Sequence, residues 1–228
     1  MEHKYYSIGT YEWAIQLCIV CFFFVGLLVL PLCISSRKRQ VLAKVLAVSL
    51  FLVMVFGQLY YVWIGEWNLR LLPFEFCNLM AMASVIALLS QHQWFYELCL
   101  FLGVVAPFQA FISPAIYCGE DAILYDLFYA EHILLIYSPL YMTFFLHMRP
   151  RKWSWFTTPL SFVPVIVPIM LINEFAGTNY MFLAERPEVL HPFNFGLWPF
   201  YILLWIVALF LISFVISRMI VPKNGDRE

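Results

Sequence analysis

Two side chains in this sequence could do covalent or proton-transfer chemistry inside an apolar environment: Cys77 and His132. Cys77 is expected about 5 Å below the start of a helix opening near residue 74. A thiol in a first helical turn feels the positive end of the macrodipole, which favours the thiolate. His132 is expected at a comparable depth on a different helix. A cysteine and a histidine so placed are a nucleophile and base for acyl transfer. Glu75, Glu131 or Glu174 could orient the imidazole. Glu131 and His132 are consecutive and point about 100° apart on a helix, so they do not form a pair by themselves. Depth follows from sequence but azimuth does not, so contact between Cys77 and His132 stays open. Plainer readings stand beside these: Cys77 as a small packing hydrophobe, His132 as a structural hydrogen bond, the glutamates as neutral buried acids.

Other polar residues share that depth. Gln16, Gln58, Glu75, Asn78, Gln109, Glu131, His132, Asn173 and Glu174 all fall in one half of the spans, with Asn179 in the loop that follows. Charges at a helix centre cost roughly 2.5–3.5 kcal/mol, so such a set needs a reason. Contact with lipid headgroups would be symmetric between leaflets. The one-sided set predicts a water-accessible cavity opening outward above an apolar inner half. Glu97 alone lies in the inner half, near enough to a helix end to reach water. No metal site is expected, because one intramembrane histidine with glutamates holds a cation only loosely, and seven-helix zinc hydrolases use several. A retinal protein is not supported either, since the last span lacks a lysine. No cofactor is implied.

The elements that must position these groups are membrane spans. The chain has 228 residues, 64% hydrophobic and 12% charged, whereas soluble domains carry roughly 25% charged residues. Lipid is its expected solvent. The net charge of −1 gives no case for nucleic acid, and no phosphate-cradling glycine motif is present. A bilayer core needs about 20 apolar residues per helix. Seven segments qualify, near 13–34, 43–64, 74–90, 94–112, 127–147, 154–176 and 197–221. The apolar run from Trp13 to Ile34 exceeds a signal-peptide core of roughly 7–15 residues and reads as a permanent first span. Cys18 and Cys21 form a C-x-x-C at lipid depth, read as core packing. Ten of the 13 basic residues lie in the first loop, the fifth loop and the carboxyl end. The expectation is therefore an all-α, polytopic protein of the cell membrane, seven transmembrane helices in one domain over 1–228, with its N-terminus outside and its C-terminus cytoplasmic.

Several blocks carry a resemblance. Leu72-Pro-Phe-Glu-Phe-Cys77-Asn78 resembles the LP-x-x-x-C signature of the YwaF-like bacterial integral membrane proteins. Gln109-Ala-Phe-Ile-Ser-Pro114 resembles their Q-x-L-x-[ST]-P block, and Phe128-Tyr-Ala-Glu-His132 their helix-five histidine. Gly177-Thr-Asn-Tyr-Met-Phe-Leu183 and Gly196-Leu-Trp-Pro-Phe-Tyr201 resemble GTNYM-x-L and GPWPWY. The order is collinear over nearly the whole chain, and GTNYM-x-L is the most specific block. That family is similar to the eukaryotic transmembrane protein 164, a proposed phospholipid acyltransferase with a cysteine nucleophile. The resemblance implies acyl transfer by Cys77 and His132 on the outer leaflet.

The expected function is thus a membrane acyltransferase or lipid-acyl hydrolase, with membrane lipid as partner and a lipid or small molecule as substrate. The alternative is a non-catalytic transporter or binding protein for a small solute or lipid. Against it stands the absence of an inverted repeat; for it, the proline-rich sixth span (Pro159, Pro164, Pro168) could bend. A scaffold or sensor ranks last, because the outer loops are short.

Overall fold

Apolar runs of helix-forming residues, punctuated by Pro, Gly and polar turns, fold into helices in the computed structural model, which describes residues 4–5, 11–112, 115–116, 121–187 and 196–220. The helices are α1 (Tyr11–Val29), α2 (Ser36–Trp63), α3 (Phe76–Ser90), α4 (Gln93–Leu98), α5 (Val105–Ile112), α6 (Ala122–Phe144), α7 (Ser154–Ala176) and α8 (Phe200–Ile220). A π-helical stretch, Cys99–Gly103, joins α4 to α5. Counting that composite as one, the described residues form seven helical rods. Lys4–Tyr5 pairs antiparallel with Ala115–Ile116.

Local chemistry sets the ends. Asp121 caps α6, its Oδ1 accepting from the Ile123 and Leu124 N–H groups at 2.9 and 3.1 Å. The helix therefore begins five residues before the expected 127. Gly177, at φ 62°, stops α7 in the left-handed conformation that glycine adopts without a Cβ clash. α2 begins at Ser36 rather than near 43, because Arg37, Lys38 and Arg39 are good helix formers outside the apolar run. The first span tightens at Leu30–Cys33 into a 3-10 turn containing Pro31. The fourth, expected to be continuous over 94–112, is interrupted by the π stretch.

Hydrogen bonds bring alternate helix ends together. At one end Tyr141 donates to the Arg39 carbonyl at 2.7 Å, Arg39 Nε donates to Pro31 O at 3.0 Å, and Gln91 bonds Gln40. Gln93 reaches the Arg149 carbonyl at 2.9 Å. At the other end Tyr60 donates to Asp121 at 2.9 Å, Gln58 to Leu71 O at 2.8 Å, and Tyr201 to Phe182 O at 2.7 Å. Buried tyrosines do much of this work: a large apolar ring packs in the core while its hydroxyl ties one element to another.

The π stretch is the centre of the packing. Cys99, Leu100, Phe101, Leu102 and Gly103 are all buried. A methyl group added at Gly103 would stand 3.6 Å from Leu135 of α6 and from Met80 of α3. Outward, large apolar side chains are exposed along α1, α2, α7 and α8, among them Phe22, Leu59, Val167 and Leu211. Water would not tolerate that surface, but lipid does. Among the described residues, Ser36–Trp63, Ser154–Ala176 and Phe200–Ile220 are long and apolar enough to cross a membrane, and Leu17–Cys33 and Phe76–Ser90 are shorter apolar helices. Cys18 and Cys21 lie on the exposed side of α1, so core packing does not describe them. α1 touches the bundle mainly through α6, leaving the rest of its surface outward.

Candidate functional site

The third span is the shortest because the chain enters it late. After α2 ends at Trp63, the backbone turns back along the bundle through a 3-10 turn, Leu69–Leu71, before α3 begins at Phe76. Gln58, more than a turn inside α2, holds this descending segment: Nε2 donates to Leu71 O at 2.8 Å and Oε1 accepts from Trp67 Nε1 at 3.1 Å. The Phe76 ring then meets Phe162 edge-on at 5.2 Å. Phe162 lies about 14 residues, roughly 21 Å, short of the end of α7. The N-terminus of α3 therefore starts inside the bundle rather than at its rim. Irregular backbone at such depth is tolerated where protein covers it or where it lines a cavity.

Glu75 is the N-cap of α3, yet its side chain makes no capping bond to its own helix. Its Oε2 instead accepts from the Met181 N–H at 2.8 Å. Among the described residues, nothing accepts from the first-turn N–H groups of Phe76, Cys77 and Asn78, which a helix leaves unpaired by construction. Cys77 is half-buried in this turn. Both Glu131 of α6 and Glu75 act on its thiol electrostatically. Glu131 Oε1 is buried without a hydrogen-bond partner. The thiol thus has carboxylates on two elements and helix N–H donors beside it.

His132 is buried ten residues after the first residue of α6, about 15 Å along the helix, rather than a turn or so into it. Its Nδ1 lies 2.7 Å from the Phe128 carbonyl oxygen. A carbonyl only accepts, so Nδ1 carries the proton and Nε2 keeps its lone pair. The ring leans on Phe128, with centroids 4.1 Å apart, and meets Phe111 at 6.3 Å. No hydrogen bond joins it to Cys77 among the described residues. His132 is buried and Cys77 is half-buried.

The loop after α7 roofs the site. Asn173 Oδ1 accepts from Tyr180 N at 2.8 Å and from Thr178 Oγ1 at 2.9 Å, and its Nδ2 donates to Tyr180 O at 3.0 Å. Tyr180, fully buried, donates to the Leu69 carbonyl and stacks edge-on with Phe74. Met181 and Phe182 both adopt positive φ, at 55° and 51°, a conformation unfavourable for side chains with a Cβ. The strained turn is what aims the Met181 N–H at Glu75. Asn179 faces the far side of the loop, bonding the Ala184 and Glu185 N–H groups at 3.0 Å each.

Of the residues expected from sequence, Glu75, Cys77 and Glu131 come together, with Asn78 in the same turn as Cys77. Gln58 and Asn173 are clamps on the covering loops. Glu174 is exposed. The side chain of Gln109 lies outside the described residues, as does that of Gln16. Glu97 does not reach water: it is 0% exposed, with Arg151 on both its oxygens and a shortest contact of 2.6 Å. The Arg151 N–H and Gln93 complete its shell at 2.8 and 2.9 Å. This pairing raises the Arg151 guanidinium further above its ordinary range. Nothing in the spacing of positions 97 and 151 signals it. Among the described residues, no group of three or more His, Cys, Asp or Glu side chains could hold a metal ion.

Neither a curated protein sequence nor a solved structure matches the chain. A family model described as the TMEM164 family matches residues 5–217, nearly its whole length, and the chain belongs to the TMEM164 family.

Proposed function

We propose that this protein is a seven-span membrane enzyme that moves an acyl group of a lipid through Cys77, from a site on the side opposite its basic loops. The observation that carries the reading is the thiol itself. It sits half-buried in the first turn of a helix that starts inside the bundle, against α6, where Glu131 Oε1 is a buried carboxyl oxygen without a hydrogen-bond partner. Glu131 takes the thiol proton as sulfur attacks the acyl carbonyl. The developing oxyanion meets the unpaired first-turn N–H groups of α3, donors that need no reorganisation when charge appears. As the tetrahedral intermediate collapses, the carbon–oxygen ester bond breaks and the departing alcohol takes the proton from Glu131, leaving an acyl thioester on Cys77. An acceptor hydroxyl, from a lysolipid or from water, then gives its proton to a base and attacks the thioester; the carbon–sulfur bond breaks and the departing sulfur takes that proton, regenerating the thiol. His132 fits the base role in this second step, because its Nδ1–H is fixed and its Nε2 is free to accept. Resemblance to the eukaryotic transmembrane protein 164 supports the same chemistry.

The test is mass spectrometry of the purified protein after incubation with phospholipid vesicles, together with the lipid profile of cells expressing each variant. Wild type carries an acyl adduct on Cys77. Cys77→Ala loses the adduct and the lipid change altogether. Glu131→Gln slows adduct formation by roughly 10²–10⁴-fold, the range for losing a general base. The amide keeps the size and polarity of the side chain, so thermal unfolding stays close to that of wild type. Full lipid turnover by Cys77→Ala would refute the mechanism.

A further inference from the structure

Glu75 has the backbone of a helix cap, φ −66° and ψ 149°, but not the bonds of one. At an N-cap a side-chain oxygen ordinarily accepts from the second or third N–H of its helix, here that of Cys77 or Asn78. Asp, Asn, Ser and Thr do this well because their oxygen sits close to the backbone, and the longer Glu is not among the favoured caps. The Glu75 carboxylate reaches past its own helix instead. Its Oε2 accepts from the Met181 N–H at 2.8 Å, 106 residues away along the chain.

The turn that offers this N–H is strained. Met181 and Phe182 lie at φ 55° and 51°, in the left-handed region that side chains with a Cβ avoid. Such a conformation persists only where its surroundings over-determine it. Asn173 holds Tyr180 by both its N–H and its carbonyl. Tyr201 donates to the Phe182 carbonyl at 2.7 Å, and Trp198 Nε1 to the Leu183 carbonyl at 3.0 Å. Glu75 supplies the bond to Met181 itself.

With its carboxylate drawn away, Glu75 leaves the first-turn N–H groups of α3 without an acceptor among the described residues. A carboxylate that capped the helix would occupy those donors and oppose negative charge developing beside them. We infer that Glu75 is a positioning residue for Cys77: its bond to Met181 ties down the strained turn and withdraws the carboxylate from α3, which keeps the helix N–H groups open to an oxyanion. The use of those donors rests on the acyl-transfer reading; the carboxylate's choice between two partners does not. Position 75 therefore requires reach more than charge.

Two variants separate reach from charge. Glu75→Gln keeps the reach and an acceptor oxygen. Glu75→Asp keeps the charge, but its carboxylate falls about 1 Å short of the Met181 N–H, past hydrogen-bond distance, and caps its own helix well. Each full-length protein is treated with iodoacetamide in detergent, and alkylation of Cys77 is followed by peptide mass spectrometry. The acyl adduct is followed in phosphatidylethanolamine–phosphatidylglycerol vesicles. Glu75→Gln stays close to wild type in both assays. Glu75→Asp alkylates several-fold more slowly and forms the adduct about 10²-fold more slowly, the scale for losing an oxyanion-hole donor. Its unfolding midpoint holds, because the new cap offsets the lost loop bond. If Glu75→Asp proves too unstable to assay, Tyr201→Phe frees the Phe182 carbonyl without touching α3 and slows alkylation in the same direction; an unchanged rate there overturns the inference. Rates for Glu75→Asp at or above those for Glu75→Gln overturn it as well, since charge would then matter more than reach. No adduct in any protein, with alkylation still ordered as expected, removes acyl transfer and keeps the role of Glu75.

Discussion

Asn173 directs its whole amide at one loop: two acceptances on Oδ1 and one donation from Nδ2, all within 3.0 Å. From sequence it belongs to a cavity-lining set, because periodicity and depth place it beside the other polar residues. What sequence lacks is the partner, and Asn173 bonds a loop that folds back onto its own helix. Gln58 has the same history. Replacing Asn173 by Ala leaves the Tyr180 N–H and the Thr178 hydroxyl without partners in a buried setting, while the Tyr180 carbonyl keeps only the Leu183 N–H at 3.2 Å. The expected loss is about 2–3 kcal/mol, less than three separate bonds because they share one anchor. Asn173→Asp keeps the acceptor oxygen and should lose less. Thermal unfolding in detergent reads both, and an alanine variant as stable as wild type would show that the loop is held elsewhere. Cys77 and Glu75 stood out in sequence as reactive residue types at the head of a span. That Glu131 of α6 lies within electrostatic reach of Cys77 was not legible there, since it depends on how α3 and α6 are rotated against each other.

At the scale of elements, sequence located the rods well and their interruptions poorly. Apolar length is additive along a chain, so seven hydrophobic segments could be counted. A π stretch has no compositional mark: Cys99–Gly103 reads as ordinary helix, and its widening comes from close packing with α3 and α6. The descent of the chain into α3 was equally hidden, although the shortness of that segment was its trace. Gly103 is the most constrained point in the interruption. A Cβ there meets its neighbours at 3.6–3.8 Å, ordinary contact distance. Gly103→Ala should therefore fold normally, with unfolding shifted by no more than about 1 kcal/mol and in the stabilising direction. Gly103→Phe must push Met80 or Leu135 aside and should cost about 1–3 kcal/mol. If the phenylalanine variant melts with wild type, α3 and α6 are not held together at that point.

For the whole molecule, the distribution of charge and the alternation of helix ends agree. Arg37, Lys38, Arg39 and Lys44 lead into or begin α2. Arg149, Arg151 and Lys152 precede α7, and Arg218 ends α8. The bonds from Tyr141 to Arg39 O and from Arg151 to Glu97 draw these segments to one end. The loop after α7 belongs to the other, and Glu75 and Cys77 lie between the two ends beneath it. Basic loops are retained in the cytoplasm, which makes the site end extracytoplasmic if all seven rods cross. Single cysteines at Arg37 and Arg70, in a background without the native cysteines, test this with a membrane-impermeant maleimide on intact cells. Arg70→Cys, in the turn ahead of α3, should be labelled directly, and Arg37→Cys only after permeabilisation. The same pattern expects an even split of labelled positions between loops of alternate number, which separates seven crossings from three. Reversed labelling would put Cys77 toward the cytoplasmic leaflet, leaving its chemistry intact but changing which lipids can reach it.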